Sequence, residues 1–161
     1  MQNSKIKYFL LLIIIFFIAL GISLNGRGNS KRQTEQVKQI NGISYVKIAG
    51  KTLKVDLALT PESQEQGLSG RKELKENEGM LFIFNQADKY SFWMKDMNFA
   101  LDIIWISEDF KVVYIKKNAL PESYPESFVP NQKAKYVLEV SASFGDINNL
   151  KEGDRVEFLS S

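Results

Sequence analysis

Apolar positions fall into two regimes along the chain. Tyr8 to Leu24 is almost unbroken apolar sequence, preceded by Lys5 and Lys7. That layout predicts a signal peptide or signal anchor. As a helix it spans about 25 Å, slightly less than a hydrocarbon core of roughly 30 Å. No small-x-small cleavage site follows it, which favours an uncleaved anchor. Lys5 and Lys7 precede the segment, and Arg27, Lys31, Arg32 and Lys38 follow it. Charge counting alone therefore leaves orientation open, but a short tail before a long folded domain favours export of that domain. Residues 25–39 contain Gly26, Gly28, Asn29 and Ser30 without apolar periodicity and read as a flexible tether.

From residue 40 to 161 the pattern changes to short runs that read as strands in one β-rich domain. Ile43–Ala49 and Thr52–Leu59 flank Gly50-Lys51, which predicts a hairpin with a type II′ turn. Leu53, Val55, Leu57 and Leu59 alternate with Lys54, Asp56 and Ala58, the period of a strand with one buried side. Thr60-Pro61-Glu62 starts a helix, with a capping hydroxyl, a proline at the first helical position and an acid at the positive end of the dipole. Gly67 and Gly70 end it in a bend reaching Arg71. Gly79–Phe84 is a continuous apolar run, a strand covered on both faces. Asn85–Lys89 predicts a turn and Tyr90–Lys95 a further strand, broken by Asp96-Met97-Asn98. Leu101–Ser107 and Lys111–Lys116 form a hairpin over Glu108-Asp109-Phe110. Asn118–Gln132, with Pro121, Pro125 and Pro130, reads as a long loop. Tyr136–Val140 is a strand, Ser143–Leu150 a short helix, and Asp154–Leu159 a closing strand. Many short strands with one or two short helices predict a compact β-sandwich or partly closed barrel, behind an N-terminal hydrophobic helix. About 120 residues suffice for an independent core.

Composition narrows the chemistry. The 161 residues include no cysteine and no histidine. Disulfides, thiol nucleophiles, Cys or His metal ligation, serine–histidine triads and histidine proton shuttles are all excluded. The net charge of +2 comes from Lys5 and Lys7, because residues 25–161 balance. A neutral body gives no electrostatic footprint for nucleic acid, so no such partner is expected. No EF-hand spacing, phosphate loop or dinucleotide fingerprint is present, and neither a metal nor a cofactor is expected.

Three stretches hold the polar groups worth weighing. Arg71 follows a glycine bend, from which its planar fork could meet an anion, or an ion pair could fasten the helix to the sheet. Trp93, Lys95, Asp96 and Asp102 crowd a ten-residue stretch. Asp102 shares strand parity with Ile104 and Ile106 and so points to an apolar face, where it needs a cation or several N–H donors. Pairing with Lys95 or Arg71 would serve the fold; desolvation without a partner would raise its pKa and make it a general acid. Glu139 sits between Leu138 and Val140, and if its face is concave it could pair with Asp102 as acid and base.

These blocks, in order, resemble the domain-of-unknown-function 192 family. The resemblance rests on Gly67-Leu68 with Arg71, Gly79-Met80-Leu81-Phe82 with Phe84, Phe92-Trp93-Met94-Lys95, Leu101-Asp102-Ile103-Ile104, Tyr136-Val137-Leu138-Glu139 and Gly153-Asp154. It covers about Leu53 to Phe158. The chain departs from the family pattern at Asp96 (usually Asn), Ala100 (usually Pro), Ser69 (usually Met) and Ser141-Ala142-Ser143, where a glycine is common. The resemblance implies a jelly-roll-like β-sandwich, often behind an export signal or membrane anchor, and no established reaction.

The expected function is a binding module. It is tethered to the membrane through residues 8–24 with its domain on the extracytoplasmic side, or secreted if the segment is cut. A cleft lined by Arg71, Trp93, Lys95, Asp96, Asp102 and Glu139 would hold a small polar or anionic ligand or an envelope glycan, with Trp93 as a flat platform. Two other readings remain: a hydrolase using Asp102 and Glu139, and a structural or assembly factor of the envelope with no ligand.

Overall fold

The computed structural model describes residues 42–160. The expected anchor and the tether lie outside the described residues. Strands β1 (Ile43–Ile48) and β2 (Lys51–Ala58) form a hairpin with Ile48 opposite Lys51. The turn centres on Ala49-Gly50 rather than Gly50-Lys51, and both central residues have positive φ, 48° and 72°. That is the type I′ signature, whose twist matches the flanking strands, and it corrects the expected type II′ turn.

Helix α1 (Pro61–Gln66) starts where the sequence indicates. Thr60 Oγ1 accepts from the Ser63 N–H at 3.2 Å, and Ser63 Oγ accepts from the Thr60 N–H at 2.9 Å. This reciprocal cap satisfies two amides that the helix itself cannot. Gly67 ends the helix at φ 49°, ψ −133°, a conformation that side-chain-bearing residues resist.

β3 (Glu78–Asp88) is longer than its apolar run, because Asn85–Asp88 continue the strand instead of turning. β4 is trimmed to Phe92–Trp93. It pairs with β7 (Ser127–Phe128), which lies in the stretch expected to be loop, after a 3-10 turn at Pro121–Ser123. β5 (Leu101–Ile106) and β6 (Val112–Ala119) make the expected hairpin. β8 (Ala134–Ser141), α2 (Phe144–Ile147) and β9 (Val156–Ser160) complete the described chain.

The body is mainly β, as expected. Seven strands form one sheet in the order β6-β5-β8-β3-β2-β1-β9, and β4-β7 is a separate two-stranded ribbon. All main-sheet pairs are antiparallel except β2–β3, whose parallel crossover carries α1. The sheet is not closed. Just ahead of β6 and β9, Lys111 and Arg155 form an isolated bridge that joins the two edges at one end.

Register assigns the faces. Met80 and Phe82 on β3, Ile103 and Trp105 on β5, and Val137 on β8 share one face. Leu68, Met94 and Phe128 join them in a buried cluster, so the bend and the ribbon cover this face. Leu81, Ile104, Leu138 and Val140 point the other way and are buried too. Covering on both sides is why the middle strands read as continuous apolar runs. Each such side chain contributes about 1.5–3 kcal/mol by leaving water.

Candidate functional site

Across the middle of the sheet one row of side chains runs Asp56 (β2), Met80 (β3), Glu139 (β8), Ile103 (β5) and Lys116 (β6). Glu139 is 5% exposed in the middle of that row. Its backbone carbonyl lies so close to β3 that a Cβ on Gly79 would stand 2.8 Å from it. Close strand approach, not a turn, is what requires the glycine of the Gly79-Met80-Leu81-Phe82 block.

Glu139 Oε2 is buried and has no hydrogen-bond partner. Burial pushes the carboxyl up to about 8, against the smaller opposing pull of the Arg71 guanidinium. The side chain lines a cavity of about 290 Å³ whose other walls include Phe82, Phe84, Tyr90, Phe92 and Trp93. Phe92 meets Phe82 edge-on at 4.9 Å between centroids, and Phe84 stacks on Tyr90 at 3.5 Å. The Trp105 indole N–H donates to the Tyr90 carbonyl at 2.9 Å and holds that segment to the sheet. Residues of α1 and the following bend cover the opposite side, and a Cβ on Gly67 would stand 3.3 Å from the Phe82 ring and 3.9 Å from Glu139 Oε2.

Beside this cavity lies a more open groove of about 440 Å³ lined by Glu62, Glu65, Ser69, Trp93, Lys95 and Asp96 among others. Trp93, 47% exposed, borders both hollows. Three hydrogen bonds fix the geometry between the bend and the loop after β4. Ser69 Oγ donates to the Lys95 carbonyl, the Gly70 N–H to the Asp96 carbonyl, and the Asn98 amide to the Arg71 carbonyl, each at 2.8 Å. Asp96 has φ 55°, in the left-handed region that Asn and Asp tolerate better than most residues. Asp in place of the Asn that the resemblance leads one to expect here therefore preserves backbone conformation.

Four of the six residues singled out from the sequence border these hollows: Trp93, Lys95, Asp96 and Glu139. Arg71 lines neither. It forms an ion pair with Asp56 at 2.7 Å, which ties the bend after α1 to β2. Both partners are substantially exposed, so the pair contributes about 1 kcal/mol or less.

Asp102 is elsewhere. Val140, not Glu139, is its partner on β8, so the two carboxyls occupy opposite faces of the sheet. Asp102 is fully buried, and its oxygens accept backbone N–H bonds from Asn118 at 2.8 Å, Ser143 at 3.3 Å and Gly145 at 2.7 Å. Neither Lys95 nor Arg71 is among its partners. It joins β5 to the far end of β6 and to the start of α2, and the expected acid–base pair with Glu139 does not assemble.

Of the aromatic walls the sequence singles out Trp93 alone; Phe82, Phe84, Tyr90 and Phe92 are not among its candidates. Met80, Phe82 and Phe84 alternate on one face of β3, a period that marks a common side but not which glutamate they surround. Among the described residues no group of three or more Asp and Glu side chains is placed to hold a metal ion. No described helix is long and apolar enough to cross a membrane.

No curated protein matches the chain. Solved structures do. A protein of unknown function from Novosphingobium aromaticivorans DSM 12444 is 33% identical with a TM-score of 0.68, over 71% of this chain and 84% of that one. A candidate transcription regulator from Sinorhizobium meliloti 1021 is 33% identical with a TM-score of 0.67, over 71% of this chain and 92% of that one. The pattern of DUF192, described as an uncharacterized ACR, matches residues 44–158, and the chain belongs to that family.

Proposed function

We propose that the body is a binding module whose site is the cavity between Glu139 and Trp93. One observation carries this reading: Glu139 Oε2 is buried without a partner at an aromatic-walled hollow. An unsatisfied buried polar group costs about 1–3 kcal/mol, and a ligand N–H or O–H would supply the missing bond. The flat walls suit the apolar face of a small molecule or of one unit of an envelope glycan. Glu62, Glu65 and Asp96 outnumber Lys95 on the rim, which favours the polar or glycan ligand over the anionic one among those expected from sequence. The ribbon lying over the sheet is the sandwich-like part of this fold, and the site occupies that layer. We place the domain on the extracytoplasmic side of a membrane because of the apolar run Tyr8–Leu24 and the long folded domain that follows it. Residues 42–161 carry 15 Lys and Arg against 18 Asp and Glu, so a nucleic-acid partner finds no support in charge.

A hydrolase remains the second reading because a carboxyl that stays protonated at neutral pH is a competent general acid. Its basic partner would be Glu65, which lines the same cavity, in place of Asp102.

A thermal-shift screen of the full-length chain against sugars, amines and other small metabolites tests the binding reading. Binders raise the apparent melting temperature of the wild type. Glu139→Leu and Trp93→Ala should lose most of that shift. Equal shifts in wild type and both variants would remove the cavity from consideration.

A further inference from the structure

We propose that the group seated on Glu139 is a primary ammonium, so that the cavity selects small organic cations over neutral or anionic molecules. This rests on the reading of the cavity as a binding site and names its ligand class.

Three observations converge on that chemistry. The first is the orphaned oxygen. Glu139 Oε2 lacks a hydrogen-bond donor, and an R–NH3+ group offers three. A quaternary ammonium offers none, so charge alone does not fill the need. The second is the wall. Phe82, Phe84, Tyr90, Phe92 and Trp93 surround the hollow, and aromatic faces attract a cation by their quadrupole, most strongly where water is excluded. The third is the sign of the surroundings. Glu65 borders the cavity, Glu62 and Asp96 outnumber Lys95 in the adjoining groove, and the cavity lining holds no Lys or Arg. Arg71 is already engaged by Asp56.

The proton balance follows from the burial of Glu139. With the cavity vacant the carboxyl is protonated at neutral pH, because burial raises it to about 8. Seating R–NH3+ against the carboxylate displaces the acidic proton to solvent: one cation enters, one proton leaves, and no bond of the ligand is broken. The other titratable or charged groups facing this carboxyl are Glu65 on α1, Arg71 on the bend and Tyr90 ahead of β4. Its sheet neighbours Met80 and Ile103 carry no charge.

Calorimetric titration of the full-length chain with n-butylammonium, butan-1-ol and tetramethylammonium distinguishes the possibilities. Butylammonium should bind at least about tenfold more tightly than either analogue at pH near 9. Its affinity should rise about tenfold per pH unit below roughly 8 and level off above. Near neutral pH, binding should release close to one proton, read as a dependence of the heat on the buffer's ionisation enthalpy. Glu139→Gln should abolish both the ammonium preference and the proton release while keeping a native near-ultraviolet spectrum. Comparable binding of butan-1-ol, pH-independent affinity, or no detectable butylammonium binding overturns the proposal. Neutral molecules that bind the wild type but not Glu139→Leu would overturn the cation assignment and leave the binding module standing. Failure of every compound in the thermal-shift screen would remove both.

Discussion

Glu139 on β8 stands across from Ile103 on β5, one position away from Asp102. Because side chains alternate along a strand, that single step sends two buried carboxyls to opposite faces. One receives three backbone N–H bonds; the other has an oxygen with no partner and borders a hollow. Residue type is shared, and surroundings decide the role.

Stability should depend on pH through Glu139. Its carboxyl rises from 4.5 to about 8 on folding. Between those values the folded chain keeps a proton that the unfolded chain has released. Stability from this group is therefore greatest below the lower value and declines as pH rises through the window. The full span is on the order of a few kcal/mol. Urea midpoints of wild type and Glu139→Gln should diverge as pH rises from about 5 to about 9, with the variant gaining. A difference that stays constant would show that the buried carboxyl is not the source.

Asp102→Ala should damage the fold and not binding as such. It leaves the N–H groups of Asn118, Ser143 and Gly145 without their acceptor. A loss of about 3 kcal/mol or more is expected, read from chemical denaturation. Asp102→Asn should be milder, since one acceptor oxygen survives. Loss of ligand binding by well-folded Asp102→Asn, with stability unchanged, would contradict this assignment.

Trp93→Ala should show the reverse pattern. Trp93 is 47% exposed, so removal of its indole should cost less than about 1 kcal/mol of stability. Affinity for whatever raises the melting temperature should drop at least about fivefold. The pair Asp102→Ala and Trp93→Ala thus separates scaffold from site in two measurements.

Gly79→Ala should destabilise by about 2 kcal/mol or more, because the new methyl meets a backbone carbonyl at 2.8 Å that only a shift of one strand against the other can relieve. Since that carbonyl belongs to Glu139, ligand affinity should fall in the same variant. An unchanged melting temperature would be inconsistent with the strand spacing described above.

Much of this architecture is written locally. Thr60-Pro61 marks the start of α1 and Gly67 its end; alternation from Leu53 to Leu59 marks β2; the apolar runs mark β3, β5 and β8. Trp93, Lys95, Asp96 and Glu139 stand out as polar or amphipathic members of those blocks. What the chain does not display locally is partnership between distant strands. Asp102 and Glu139 each have legible parity, yet their relative facing depends on the β5–β8 register. Asn85–Asp88 have turn composition and nevertheless extend β3, where Asp88 pairs with Ala134. Ser127-Phe128 is too short to carry a period, and only its partner Phe92-Trp93 makes it a strand. The aromatic walls come from β3, β4 and the segment before β4, and only tertiary packing brings them around one glutamate.

The sheet order has a consequence for biosynthesis. β8 lies between β3 and β5, although it leaves the ribosome after both of them. Until residues 134–141 have been made, the β5–β6 hairpin has no neighbour through which to join the β1–β2–β3 half. The nascent polypeptide must hold two unfinished pieces with open apolar margins, and they unite only once β8 has been translated.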